Sequence, residues 1–248
     1  MADEMFEKRV RELAKRAEKT GEPSFTHFLD MSQASSAFAA ASEAGVHLVL
    51  EGGYGDAERR MGAFYDMEPP EAWQWPIAPV EMTWRAQFGS PAHRDLLGAL
   101  MALGFERDRM GDIVLLKDRA YVFAESEMAD YIVRSLESAG RVSLRVRMAE
   151  GVPDIPPPAG RTVRDTVQSL RLDAVLAAGF SLSRSEASER IARGKVFVNH
   201  AQLLRGDLSV KEGDIISLRG EGRIRLEHVE GETRKGRIAV RLFRYGGS

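Results

Sequence analysis

Residues 182–199 read LSRSEASERIARGKVFVN. Ser183 suits a helix N-cap, because its hydroxyl can accept from a backbone N–H of the first turn, and Glu186 three residues on completes a capping box. Ala187 and Ile191 share the inward side of the helix that follows, and Gly194 fits the left-handed position that ends it. Beyond it, Val196 and Val198 alternate inward along a strand whose other face carries Lys195 and Phe197. Upstream, RLDAVLAAGF (171–180) gives another helix, with Leu172, Val175 and Leu176 on its core side. The stretch therefore predicts helix, helix, strand, ringed by Arg171, Arg184, Arg190, Arg193 and Lys195. Arg190 and Arg193 fall opposite Ile191, toward solvent. Helix N-termini and guanidinium forks are what phosphates prefer; the alternative for Arg171 is a local pair with an acidic neighbour.

Charge along the chain agrees with a polyanion partner. The 248 residues have a formal net charge of -2, but 161–248 hold 17 Lys and Arg against 11 Asp and Glu, leaving 18 against 26 before them. A basic end on an acidic body suits such a partner for that end; chance segregation on solvated faces is the bland alternative. There is no cysteine, which removes disulfides and thiolate chemistry and fits a reducing compartment. MADEMFEKRVRELAKRAEK is charged throughout, lacks the apolar run of a signal peptide, and no later segment approaches a membrane span. A cytoplasmic location is expected.

Working outward gives an α+β chain in three parts. Residues 1–80 form an N-terminal α/β region: an amphipathic helix over 3–19, an Ala-rich helix near 32–44, a buried strand at Val46–Leu50, a glycine turn and a helix from about Asp56. In 67–80, MEPPEAWQWPIAPV, prolines forbid regular structure and the tryptophans suggest a packed connection. Residues 81–150 alternate as βαββαβ, from a first strand at TWRAQF (83–88) to a last one over 141–148. This is the ferredoxin-like order shared by RNA-recognition motifs. Tyr121 and Phe123 lie on one face of its third strand, where such motifs stack bases. The glycine and third aromatic of that signature are missing, so they are read as core or interface aromatics. Residues 151–164 are a Pro-rich linker, and 165–248 form the basic domain with a C-terminal β-hairpin. In that hairpin Arg237, Arg241 and Phe243 alternate with Ile238, Val240 and Leu242, and Arg223 and Arg225 do the same one strand earlier. The basic face either extends an RNA surface or is an ordinary polar sheet face.

Catalytic signatures are incomplete. EGGYGDAERR (51–60) has a strand–turn–helix look that could cradle a phosphate, but its glycine fingerprint is partial, and a tight turn is the preferred reading. His93-Arg94-Asp95 echoes a kinase loop without the rest of a kinase; His93 and Arg94 are read as secondary RNA contacts, with helix capping as the alternative. The five histidines show no metal-ligand spacing, and no metal or cofactor is expected.

The pattern RLDAVL…SRSEASERIARGKVFVN…VKEGDIISL resembles the S-four-type RNA-binding domain over about 169–218. The usual glycine after Asn199 is His200 here, which puts the hairpin turn in question. With EGGYGDAERR, HRDLLGALMALGFERDRMGDI and the tail GRIRLEHVEGETRKGRIAVRLFRY, the chain is similar to the YlmH family of bacterial RNA-binding proteins. The resemblance implies a non-catalytic, ribosome-associated protein that binds ribosomal RNA, above all on the large subunit, with tRNA as a further partner, in the handling of stalled subunits. It implies no membrane partner and no DNA specificity. It places RNA contacts at Arg171 and Arg184 first, then at Arg190, Arg193 and Lys195. Ser183, Asn199, Arg223 and Arg225 are expected to join them, and His93, Arg94, Arg237 and Arg241, read from their own surroundings, are expected as secondary contacts. Two other readings stay open: an RNA-modifying enzyme anchored by this domain, and an adaptor linking RNA to a protein.

Overall fold

The computed structural model describes residues 2–67, 74–151, 153–156 and 159–246. They fall into two compact units, Met1–Pro156 and Pro157–Ser248.

The first unit opens with helix α1 (Ala2–Thr20), strand β1 (Ser24–Leu29), helix α2 (Met31–Ala44) and strands β2 (His47–Glu51) and β3 (Arg60–Tyr65). Val10, Ala14 and Ala17 form the buried stripe of α1 and meet Ala34, Ala37, Ala40 and Ala41 of α2; small side chains let the two helices approach closely. Asp30 and Gln33 cap α2 reciprocally, and Gly45 ends it at φ 69°. The sheet order is β1-β3-β2. Where a helix was expected from about Asp56 the chain forms β3 instead. Phe64 faces α1 and α2 while Met61 faces the other way into a second apolar cluster, so this strand is buried on both faces and carries no alternation to betray it.

Strand β4 (Ile77–Thr83), helix α3 (His93–Ala102), strands β5 (Met110–Leu115) and β6 (Arg119–Glu125), helix α4 (Ser126–Ser135), a short hairpin β7 (Ser138–Ala139) and β8 (Val142–Ser143), and strand β9 (Arg145–Met148) follow. The four-stranded sheet runs β5-β6-β4-β9, all antiparallel, the split βαβ arrangement. Its first strand lies six residues earlier than TWRAQF suggests, through Pro79. That proline pairs with Phe123 on one side; on the other it lies just past Val80↔Met148, the last residue pair with β9. No ladder donor is needed there, so proline fits. Trp75 packs edge-on to Phe25, ring centroids 5.4 Å apart; Trp73 lies outside the described residues. One sheet face packs Val80, Met82 and Val122 against Leu96, Leu100 and Ile132 of the helices. The opposite face carries Tyr121 and Phe123, clustered with Phe28 and Met61 of the N-terminal sheet.

The second unit comprises β10 (Gly160–Val167), α5 (Leu172–Phe180), α6 (Arg184–Ala192), β11 (Val196–Val198), β12 (Ala201–Gln202), β13 (Ile215–Leu218), β14 (Gly222–Glu232) and β15 (Ile238–Tyr245). The expected linker over 151–164 is cut short by β10, which pairs along its whole length with β15, from Gly160↔Tyr245 to Val167↔Ile238. The sheet runs β10-β15-β14-β13-β11-β12. Helices α5 and α6 cover one face, with Leu172, Val175, Leu176, Ala187 and Ile191 packed on Ile216, Ile224, Leu226, Val240 and Leu242. Asn199 and His200 take φ 48° and 71° between the paired Val198 and Ala201. Two positive φ values are what a two-residue type I′ hairpin requires, so the turn keeps its shape with His200 in place of glycine.

Candidate nucleic-acid interface

Arg171 stands at the N-cap of α5 and Arg184 opens α6. Between them lies Asp173, whose side chain is 6 % exposed. Arg171 Nε and Nη2 donate to its two carboxylate oxygens at 3.2 and 3.0 Å, and Arg184 Nη2 sits 2.8 Å from Oδ2. Burial alone would raise the pKa of Asp173, but the hydrogen bonds from Arg171 and Arg184 outweigh it and hold the carboxyl below the usual range. The hydrogen bond to Asp173, with the carboxylate charge beside it, raises the pKa of Arg171. One buried anion thus fixes two guanidiniums at adjoining helix ends, and both arginines stay near half exposed, at 44 % and 49 %. Each guanidinium has five N–H donors, so donors remain for a phosphate on the outward edge. The local-pair alternative for Arg171 is realised, but as part of a two-arginine cluster.

The other predicted contacts divide. Arg193 is 65 % exposed and pairs with Glu189 at 2.6 Å one turn back. Lys195 is exposed and makes no ion pair among the described residues. Arg190, expected to face solvent, is only 29 % exposed and is held by Glu221. Ser183 is occupied as a cap: its Oγ accepts from Glu186 N at 3.2 Å while Glu186 Oε2 accepts from Ser183 N at 2.8 Å. Asn199 is occupied too, donating to Asp214 at 2.8 Å and accepting from Ile215 N at 2.9 Å. Both side chains build the module, with their polar atoms turned inward to the chain.

Arg223 and Arg225 do not join this cluster. They lie over the Tyr245 ring, at 4.2 and 5.5 Å from its centroid, with Phe243 edge-on at 5.1 Å. Arg241 stands between Glu227 and Glu230, 3.7 and 3.9 Å away. The neighbouring Ile224, Leu226, Val240 and Leu242 face the helices, so strand alternation puts these arginines on the opposite sheet face. Arg237 donates to the Thr166 carbonyl and, with Arg184, borders a groove of about 480 Å³ beside β10. His93 and Arg94 sit in the first turn of α3, in the other unit; Arg94 is 90 % exposed, and the capping falls to Asp95, which accepts from Ala92 N at 2.9 Å.

Sequence reading passed over Arg205. It is 70 % exposed and pairs with Asp207 at 2.7 Å, and the field of Asp207 contributes to the raised pKa of Arg171. Its loop is tied to α5 by Leu172 N to Leu208 O and Asp173 N to Gly206 O, 2.8 and 3.0 Å; no periodicity in the sequence announces that link. The glycine turn of the first unit is filled from within. Glu51 Oε1 accepts from Gly52 N and Gly53 N at 2.9 and 2.8 Å, taking the donors a phosphate would need.

Residues 70–151 match a family described as "Putative RNA-binding domain in YlmH", and residues 170–216 match the S4 domain. Over 222 residues the chain is 33% identical to the Ribosome-associated protein quality control protein P2 of Bacillus subtilis (strain 168), covering 88% of this chain and 86% of that protein.

The chain belongs to the YlmH family.

A solved structure, the Cell division protein ylmH from Streptococcus pneumoniae, aligns at 22% identity with a TM-score of 0.48, over 60% of this chain and 92% of that one. In this YlmH-family chain the first match spans β4 to β9, and the S4 match runs from α5 into β13, enclosing Arg171 to Asn199. Arg223, Arg225, Arg237 and Arg241 lie beyond it. The chain thus carries RNA-binding domains of both the YlmH and the S4 type.

Proposed function

We propose that this YlmH-family protein is a non-catalytic, cytoplasmic RNA-binding factor that associates with the ribosome. It grips structured ribosomal RNA of the large subunit through the ends of α5 and α6, with tRNA as a second contact, and serves quality control of stalled subunits. The observation that carries the reading is the pair of half-exposed guanidiniums set by Asp173 inside an S4 module. The name of the Bacillus subtilis relative supports the ribosome as the site of action. Asp173, the aspartate of the Arg171-Leu172-Asp173 stretch, is buried beneath two arginines and positions them, which argues against a catalytic role for that residue. A nucleophile or general base would need access to substrate.

Binding of this kind neutralises phosphates and releases counterions, so it weakens steeply with salt. The test is co-sedimentation with ribosomes and separated subunits in sucrose gradients at about 50 mM and about 200 mM salt. Removing both arginines would strand a buried carboxylate, so the comparison is between Asp173→Asn and Asp173→Asn with Arg171→Gln and Arg184→Gln. Salt-sensitive migration with the large subunit, present in the first and lost in the second, is the expected result. Equal migration of both, or no migration of wild type, would refute the proposal.

A further inference from the structure

In the first unit, the end of β4 and the turn after it (Thr83–Phe88) face the β7–β8 hairpin loop and the start of β9 (Arg141–Arg145) across a groove of about 680 Å³. That is within the range of clefts that take a small ligand, about 300–1,000 Å³. Arg85, Arg141 and Arg145 line it and are exposed. Among the described residues none of the three makes an ion pair or a side-chain hydrogen bond. Their neighbours behave differently: Arg119 and Arg147 share the buried Glu81, at 2.9 and 2.6 Å, and each has a further carboxylate, Asp118 and Glu150, both at 3.2 Å. Three uncompensated arginines on one groove are a departure for this part of the chain, where 18 basic residues face 26 acidic ones. Left alone, such charges repel one another, so an anion entering the groove relieves that repulsion.

The groove also has an aromatic platform. Phe88, on a single 3₁₀ turn (Ala86–Phe88), is 67 % exposed. Behind it Trp84 is buried, with Nε1 donating to Ser90 Oγ at 3.3 Å, which steadies the turn. An exposed ring beside arginines suits a nucleobase above and phosphates to the side; an acidic peptide would use the charges and leave the ring idle. The sheet face that RNA-recognition motifs use is closed here, since Phe123 is fully buried and Tyr121 donates to Glu81 at 3.2 Å. RNA contact by this domain must therefore use another surface.

We propose that the groove formed by Arg85, Phe88, Arg141 and Arg145 binds a single-stranded RNA segment, the arginines taking phosphates and Phe88 stacking a base. The inference rests on the RNA-binding reading above and extends it to a surface of the first unit.

The test uses the full chain and two fluorescent probes, a single-stranded uridine decamer and a base-paired RNA hairpin, read by anisotropy. Arg85→Ser/Arg141→Ser/Arg145→Ser is expected to weaken decamer binding at least about tenfold and to flatten its log–log salt dependence by about 2, leaving the hairpin unaffected. Phe88→Ala, which alters no charge, should weaken the decamer about tenfold, and Phe88→Trp should restore it. Unchanged decamer binding in both groove variants would overturn the inference. So would decamer binding lost only in the Arg171→Gln/Arg184→Gln/Asp173→Asn variant, or a groove variant that loses a glutamate decamer and keeps the RNA. Failure of wild type to bind the hairpin, with groove-dependent decamer binding intact, would overturn the reading of the second unit and support this one.

Discussion

The Asp173 carboxylate accepts from Arg171 and lies against Arg184, both on Oδ2, at 3.0 and 2.8 Å. With its own pKa lowered by those two partners, the carboxylate adds stability that is fully present above the ordinary Asp value, about 3.9, and is lost as pH falls through the lowered one. Asp173→Asn should therefore destabilise the chain at neutral pH by about 1.5–3 kcal/mol, the range for hydrogen bonds to charged groups. The difference from wild type should shrink as the solution is acidified below about pH 4, in urea unfolding followed at several pH values. A difference that stays constant down to acid pH would contradict the assignment. This cluster was half legible in the sequence. Arg171 and Asp173 are two residues apart, so their pairing needs only the start of α5. That Arg184 reaches the same oxygen depends on α6 folding back beside α5, and no spacing rule states it. Ser183 shows the opposite case, since its capping box is local and could be read directly.

The turn after β2 shows how one element is fixed by its partners. Gly53 has φ 88°, and a Cβ there would lie 2.2 Å from the Phe123 ring; at Gly55 a Cβ would meet nothing within 4 Å. Gly53→Ala should cost about 2 kcal/mol or more, from backbone strain and collision together, while Gly55→Ala should be nearly neutral. Chemical unfolding of the two variants checks this, and equal stabilities would contradict it. The loop beyond is drawn in by Asp112, which accepts from Glu58 N at 2.6 Å and Arg59 N at 3.1 Å. Elements with one wet face, such as α1, or with local stop signals, such as α6 between Ser183 and Gly194, could be read from the chain. Strands β3 and β10 could not. The first is apolar on both faces, and the second exists only by pairing with β15, more than seventy residues away in sequence. Pro79 misled for a related reason, because a proline is compatible with a strand at a place where the neighbouring strand has ended.

At the scale of the whole chain, the second unit carries 17 basic and 11 acidic residues, and several of the basic ones already have partners within the fold. Arg190, Arg205 and Arg241 are each matched to a carboxylate, and Arg223 and Arg225 are stacked on Tyr245. Net charge alone therefore does not say where an RNA surface lies. What stands out is the Asp173 cluster, where two cations share a single anion, with the exposed Lys195 a further basic group. The measurement that tests this most directly is the salt dependence of hairpin RNA binding by the full chain, comparing Asp173→Asn with Asp173→Asn/Arg171→Gln/Arg184→Gln from about 50 mM to about 200 mM salt. Loss of two phosphate contacts predicts weaker binding and a log–log slope shallower by about 1.8 in the second variant. Equal affinities and equal slopes would show that the ends of α5 and α6 are not where this protein holds RNA.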